Sequence, residues 1–317
     1  MIKSTLKLTL AIVLLASCKQ KPAEVAVMKT PSGLEYTITH TNEKEKLVQH
    51  GQIVKLHFKY VLKSKDSILA NTFEHIPQLI KIDTTQKSKY SVFEIMPKTR
   101  KGDKIEFKLS TDTLVKMGQL QFNEIFKKGD FINGTIEILN VFSSDNQSLI
   151  DEDLKKDLEI EKSKEIKIIK NYLAKNKINA IQTPEGVFVQ IKKPGVESNK
   201  IDTTKQANVF YKGYLLNGET FDSNINPANP KAKPLEVRVG EGKVIQGWDI
   251  ALKYFAKGGS GSIFIPAVLG YGPQPMSLTS IGYDNLAFDI EIADVIKKPV
   301  LKLQPPQMPA GVNVQPR

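Results

Sequence analysis

Few residue types in this chain can do chemistry, and they are unevenly placed. There is one cysteine, Cys18, and one tryptophan, Trp248, while the four histidines (His40, His50, His57 and His75) all precede residue 76. The irregular histidine spacing, with no cysteine nearby, is not a zinc-ligand pattern, so no zinc site is expected. A single thiol excludes a disulfide framework. The 45 Lys and Arg exceed the 34 Asp and Glu for a net charge of +11. They are scattered, with no basic block interleaved with aromatics, which argues against nucleic acid as a partner. Contents of 40% apolar and 25% charged residues are globular values and disfavour wholesale disorder, collagen-like fibres and polytopic membrane proteins. The 317 residues are enough for two domains with cores of their own.

The cysteine has an informative address. Met1 to Ser17 reads MIKSTLKLTLAIVLLAS, in which Lys3 and Lys7 precede an apolar run from Leu8 to Ala16 broken only by Thr9. Such a run is short for a bilayer span and suits a secretory signal. Leu15-Ala16-Ser17-Cys18 resembles the bacterial lipobox, whose cysteine is acylated, palmitate being one such chain, and becomes the mature N-terminus; the competing reading is a plain signal peptide with a chance cysteine. Under the lipobox reading Cys18 is a lipid-attachment site without redox or metal roles, and the mature chain is anchored to a membrane that it does not span. Residues 1–17 are then the signal peptide and 18–29 a tether, because Lys19 to Thr30 shows neither helical nor strand periodicity. By resemblance to Gram-negative lipoproteins, Lys19 in place of Asp after the cysteine favours the outer membrane, on its periplasmic or its surface side.

The chain also repeats itself. Thr30-Pro31-Ser32-Gly33-Leu34-Glu35-Tyr36-Thr37-Ile38 recurs as Thr183-Pro184-Glu185-Gly186-Val187-Phe188-Val189-Gln190-Ile191. Leu56-His57-Phe58-Lys59 parallels Val209-Phe210-Tyr211-Lys212, Lys101-Gly102 parallels Lys257-Gly258, and Ile136 to Val141 parallels Ile290 to Val295. The common order predicts a duplicated domain over 30–143 and 183–297. Between them, in a linker spanning 144–182, Ile150, Leu154, Leu158, Ile166, Ile169 and Leu173 recur at three- and four-residue spacings with one skip, predicting an amphipathic helix. Ser148 and Asp151 offer its start signal, and its charged remainder reads as a solvated face; a dimerisation or spacing helix is the sharper alternative. Residues 298–317, with five aperiodic prolines, read as a disordered tail.

In the second copy, Asn217-Gly218 between apolar segments predicts a hairpin. Leu286, Phe288, Ile290 and Ile292 alternate with Ala287, Asp289, Glu291 and Ala293, as in a half-buried strand. Trp248, Leu252 and Phe255 at i, i+4 and i+7 predict a helix closed by Gly258. Strands around one short helix give an α+β fold with an antiparallel sheet.

Val244-Ile245-Gln246-Gly247-Trp248-Asp249 resembles the V-I-x-G-W-[DE] segment of FKBP-type peptidyl-prolyl cis-trans isomerases. Around it stand, in family order, Tyr211-Lys212-Gly213-Tyr214, Gly218-Glu219-Thr220-Phe221-Asp222-Ser223, Lys257-Gly258-Gly259, Ile265-Pro266, Tyr271-Gly272 and Leu286-Ala287-Phe288-Asp289-Ile290-Glu291-Ile292. The resemblance covers about a third of the chain well and, through the duplication, another third weakly. It implies two FKBP-like domains joined by the amphipathic helix, each an antiparallel sheet, five-stranded in the family, wrapped around a short helix. It further implies an apolar pocket with Trp248 as floor, Tyr211, Phe221 and Phe288 as walls, and Val244 and Ile245 as rim. The Ile245 N–H and the Tyr271 hydroxyl would hold substrate carbonyls, and Asp222 would set a carboxylate near the twisting amide. Macrolide inhibitors of this family would be expected to enter the same pocket. Trp248, Phe288 and Tyr211 each have a plainer reading as core, and Asp222 as a turn residue.

Such a site suits the reaction that the resemblance implies, which needs no nucleophile, metal or cofactor. Isomerising an X-Pro bond breaks nothing covalent and must only lower a rotation barrier of about 18–20 kcal/mol set by amide resonance. A dry aromatic pocket favours the less polar twisted amide over the charge-separated planar one. Two departures from the family text touch substrate preference: Pro234-Leu235-Glu236-Val237 supplies an aliphatic wall, and Ser280-Ile281-Gly282-Tyr283-Asp284-Asn285 replaces the usual overhanging loop. The first copy has no tryptophan, and its nearest texts are Ala70-Asn71-Thr72-Phe73-Glu74 and Ser91-Val92-Phe93-Glu94-Ile95, so it reads as a degenerate shell used for packing, spacing or holding clients. The expected function is a lipid-anchored isomerase that acts on X-Pro segments of exported polypeptides, with catalysis in the second domain. The alternatives are a non-catalytic chaperone that binds proline segments and a structural lipoprotein.

Overall fold

The computed structural model describes residues 26–85, 89–225, 232–274 and 282–298. The expected signal peptide, the expected lipid-attachment residue Cys18 and most of the expected C-terminal tail lie outside the described residues. The first domain is built from β1 (Met28–Lys29), β2 (Glu35–Thr39), β3 (Ile53–Leu62), β4 (Ser67–Asn71), β5 (Gln78–Lys81), β6 (Lys104–Ser110), the short helix α1 (Thr111–Lys116) and β7 (Phe131–Phe142). After the linker helix α2 (Gln147–Lys175) come β8 (Ile181–Gln182), β9 (Phe188–Lys193), β10 (Val196–Lys200), β11 (Lys205–Leu215), β12 (Thr220–Ser223) and β13 (Leu235–Arg238). Helix α3 (Gln246–Ala251), β14 (Ala256–Lys257), β15 (Ser260–Ile265) and β16 (Leu286–Lys297) complete the second domain.

The two main sheets are antiparallel and share one topology. Order β1-β2-β6-β7-β3-β4 matches β8-β9-β15-β16-β11-β12, with β5 and β13 in the same place beside β3 and β11. Each sheet therefore counts seven strands where the resemblance implied five, because a short strand is added at one edge and two short strands share the other. The bulges coincide as well. Register slips between Lys55 and Leu56 against β7 and between Asn208 and Val209 against β16. A second slip falls between Tyr60 and Val61 against β4 and between Gly213 and Tyr214 against β12. Coincident bulges pin residue equivalence, since a bulge is a fixed local device. Phe58 corresponds to Tyr211, Tyr60 to Gly213, Gly134 to Phe288, and Leu69-Ala70 to Phe221-Asp222.

Several sequence expectations are revised at element ends. Met28 and Lys29 pair with Tyr36 and Glu35, so the tether already ends in a strand. Ile181 and Gln182 pair with Val189 and Phe188 and belong to the second sheet rather than to the linker. The helix after Val244 stops at Ala251 and tightens into a 3-10 turn over Leu252–Tyr254. Gly258 follows β14 and, at φ of 74°, turns the chain into β15; it does not cap a helix. The segment equivalent to Phe221-Asp222 is Leu69-Ala70, not Phe73-Glu74, because pairing and not spelling decides it. In the first domain two 3-10 turns, Val92–Glu94 and Met96–Lys98, stand where the second has α3.

Helix α2, roughly 43 Å long at 1.5 Å per residue, carries the main surprise. It starts at Gln147 after Asn146, with no side-chain cap, rather than at the Ser148 signal. Its inward residues run Asp153, Asp157, Glu161, Glu165, Ile169 and Leu173, every fourth position. At about 100° per residue such a stripe winds around the helix by roughly 40° per step, so its two halves face different bodies. The C-terminal half lays Ile169 and Leu173 on Phe188, Phe264 and Ala287, on the face of the second sheet turned away from α3. The N-terminal half meets the first domain through charge. Lys55, only 8% exposed, pairs with Asp153 and, at 2.6 Å, with Asp157, while His75 Nδ1 lies 2.7 Å from Glu161 Oε1. The expected solvated face is thus partly a buried, acidic one, and Leu158 is exposed.

Glu165 is 2% exposed. Burial pushes its carboxyl up to about 7; a hydrogen bond from the Val268 N–H opposes the rise and neighbouring Glu161 adds to it. A carboxyl raised in the folded state contributes stability below its unfolded value, and that contribution is lost as pH rises through the folded one. The melting temperature of Glu165→Gln minus that of the unsubstituted chain should therefore grow between pH 5 and pH 8. The growth corresponds to about 2–3 kcal/mol, readable by calorimetry at the two pH values.

Candidate active site

The pocket is assembled where β11, β12, β16 and α3 converge. Alternation on β11 turns Tyr211 and Gly213 to the core side, and Gly213 pairs directly with Phe288 of β16. A Cβ on Gly213 would fall 2.8 Å from both the Phe221 and the Phe288 rings, so the absence of a side chain there lets the two rings meet. They contact edge to face at 5.6 Å and 88°. Trp248 comes from α3 and is 3% exposed, its ring perpendicular to those of Tyr211 and Phe288 at 5.2 Å each. Edge-to-face packing fixes ring orientation, so the floor is rigid before any ligand arrives.

Above this floor lies a cavity of about 380 Å³ lined by Tyr211, Asp222, Leu235, Gly242, Lys243, Val244, Ile245, Trp248, Tyr271 and Phe288. Seven of the eight residues singled out from the sequence line it. The eighth, Phe221, stands behind Phe288 and buttresses the wall. Leu235 takes the wall position expected of the aliphatic segment. Gly242 and Lys243 were not foreseen; their only sequence signal is that they directly precede Val244 and Ile245.

Polar groups are few and oriented. The Tyr211 hydroxyl donates to Asp222 Oδ2 at 2.6 Å, and burial together with that acceptor pushes its pKa well up, so it stays a neutral donor. Burial also raises the Tyr271 hydroxyl, with Asp222 adding to the effect. Tyr271 is 38% exposed at the cavity mouth. Ile245 precedes α3 and its carbonyl accepts from the Trp248 N–H at 2.9 Å. The cavity thus presents apolar rings below, with two neutral hydroxyls, the Asp222 carboxylate and Lys243 at the edge.

The equivalent region of the first domain is built differently. Tyr60 replaces Gly213, and Gly134 replaces Phe288. The vacated space is taken by Phe107 from β6, whose ring lies so close over Gly134 that a Cβ there would sit 2.1 Å from it. Tyr60 packs on that ring at 5.8 Å and on Phe58 at 5.4 Å. Leu69 and Ala70 stand where the second domain has Phe221 and Asp222.

An antiparallel sheet folded on a short helix, with an aromatic, acid-poor cavity between them, defines a prolyl-isomerase-like shell. Residues 197–293 match the family described as FKBP-type peptidyl-prolyl cis-trans isomerase. The chain is 31% identical over 182 residues to the FKBP-type peptidyl-prolyl cis-trans isomerase FkpA of Buchnera aphidicola (subsp. Schizaphis graminum), covering 55% of this chain and 69% of that protein. It is 39% identical over 114 residues to peptidyl-prolyl cis-trans isomerase FKBP15-2 of Arabidopsis thaliana, covering 36% and 66%. To the FK506-binding protein of Neisseria meningitidis serogroup A it is 33% identical over 91 residues, covering 29% and 80%. The chain belongs to the FKBP-type peptidyl-prolyl cis-trans isomerases, and both of its domains are FKBP-like.

Proposed function

We propose that this isomerase is a lipid-anchored folding factor that acts on X-Pro segments of exported polypeptides, with catalysis confined to the second domain. The observation that carries the assignment is the asymmetry between the two copies: one keeps a cavity over Trp248, and in the other Tyr60 and Phe107 occupy the equivalent space. A proline ring seated on Trp248, between Tyr211 and Phe288, has its flanking amide drawn out of water. Because the planar amide is the more polar state, desolvation raises it relative to the twisted transition state. The Tyr271 hydroxyl and the Ile245 N–H hold the carbonyls on either side, which fixes one half of the substrate while the other rotates. Asp222, oriented by Tyr211, presents its carboxylate to the developing dipole of the twisted bond. Proton transfer and covalent attachment have no part in this scheme.

Macrolide ligands that mimic a prolyl amide would compete for the same cavity. Protease-coupled isomerisation of an X-Pro peptide by protein beginning at Lys19 tests the catalytic reading. Anchoring is tested separately. The lipobox text makes Cys18 the attachment site, so Cys18→Ser should move the chain from the membrane to the soluble envelope fraction without changing its specific activity. Density-gradient fractionation of the native protein, expected with the outer membrane, decides the compartment.

A further inference from the structure

The loop that carries Tyr271 is fastened from outside its own domain. Residues Ala267–Leu269 form a 3-10 turn, and the N–H groups of Gly270 and Gly272 both close onto the Ala267 carbonyl at 2.9 Å. The Val268 N–H, three residues before Tyr271, donates to Glu165 Oε2 of the linker helix at 3.0 Å. The returning arm of the loop is held too. The Tyr283 N–H donates to the Gly272 carbonyl at 2.7 Å, and its ring stacks on His75 of the first domain at 4.1 Å and 2°. The Tyr283 hydroxyl reaches the Ile76 carbonyl at 3.3 Å, and His75 is itself paired with Glu161, one helical turn before Glu165. Neither Glu165 nor His75 lines the cavity.

We infer that Glu165 is a positioning residue for the isomerase site, setting the Tyr271 hydroxyl through the turn it holds. This rests on the role of Tyr271 proposed above. A charged acceptor binds an N–H more strongly than a neutral one, so the grip on Val268 depends on the ionisation of Glu165. The groups around that carboxylate are Glu161 and Lys164 on its own helix, Tyr283 on the loop, and His75 behind Glu161. Its second oxygen, Oε1, is buried without a partner among the described residues. Displacing a substrate-holding group by a fraction of an ångström costs much less than removing it, and about a 5–10-fold loss is the expected scale.

Steady-state isomerisation kinetics on the full mature chain provide the test. Glu165→Ala should lower kcat/KM by about 5–10-fold, whereas Glu165→Gln, whose amide oxygen accepts the same N–H, should stay within about 2-fold. In a Tyr271→Phe background, Glu165→Ala should add almost nothing, because the two act on one contact. The unsubstituted chain should lose up to about 2-fold in activity from pH 8 to pH 5.5 as the carboxylate is protonated, converging on the level of Glu165→Gln, whose profile should be flat. Independent, multiplying effects of the two substitutions, or a pH profile unchanged in Glu165→Gln, would overturn the inference. If Glu165→Ala does not fold, the pH comparison alone decides. A Tyr271→Phe chain as active as the unsubstituted one would instead remove the role given to Tyr271, leaving the cavity assignment to be judged on Trp248.

Discussion

Trp248→Ala is expected to lower kcat/KM for an X-Pro peptide by about 100-fold, close to 2.7 kcal/mol of transition-state stabilisation. The expectation follows from its position, buried at the base of the cavity with Tyr211 and Phe288 set perpendicular to it. Removing the indole deletes the surface on which a proline ring would rest and frees both neighbouring rings from their orientation. It also opens a void in the core formed with Val209, Ile263, Leu286 and Ile290, so a stability loss of about 3–5 kcal/mol should accompany it. Trp248→Phe separates the two effects. It keeps an aromatic floor and most of the packing, and should retain measurable activity in a folded domain. Because Trp248 is the only tryptophan, its fluorescence reports the state of the pocket directly in the unsubstituted chain.

The second large effect is on the joint between the first domain and the linker helix. Lys55→Ala should destabilise the chain by about 3–5 kcal/mol, because it leaves Asp153 and Asp157 facing one another without a cation. Lys55 keeps its charge there: burial works against the ammonium, but the hydrogen bonds and attraction of the two carboxylates outweigh it and its pKa rises. Replacing the three together by apolar residues of similar volume (Lys55→Met, Asp153→Leu and Asp157→Leu) should recover most of the loss, since desolvated ion pairs contribute little net stability. Denaturant unfolding of the single and triple variants distinguishes the two outcomes. Activity of the folded single variant should fall only to the extent that α2 shifts under the Tyr271 loop.

What the sequence made legible was local and repetitive. The alternation of Leu286, Phe288, Ile290 and Ile292 appears as a continuous strand, and Asn217-Gly218 turns the chain between β11 and β12, with Gly218 at φ of 94°. The motif residues from Tyr211 to Phe288 converge because pairing between β11 and β16 sets Gly213 opposite Phe288. Ala287, on the alternate face, is nonetheless buried, because α2 covers that side of the sheet.

Less could be read where burial depends on a distant partner. The skip in the apolar spacing of α2, between Leu158 and Ile166, is where Glu161 and Glu165 turn inward. Nothing in the helix itself shows that His75, 86 positions earlier, and Val268, 103 positions later, meet them. Tyr283 illustrates the same limit. Its segment departs from the family text, which suggested altered substrate preference, but the structure puts the ring against His75 of the other domain. The missing motifs mark the first copy as degenerate, but they do not name Tyr60 and Phe107, whose place over its sheet emerges only from register.

Catalysis in the cavity over Trp248 is tested most directly by protease-coupled cis-trans isomerisation of an X-Pro peptide by the mature chain, followed together with Trp248 fluorescence during titration with a macrolide pocket ligand. A catalytic pocket on Trp248 should give acceleration that declines in step with the fluorescence change and is lost in Trp248→Ala. No acceleration by the folded chain, or acceleration that persists in Trp248→Ala or at saturating ligand, would contradict it.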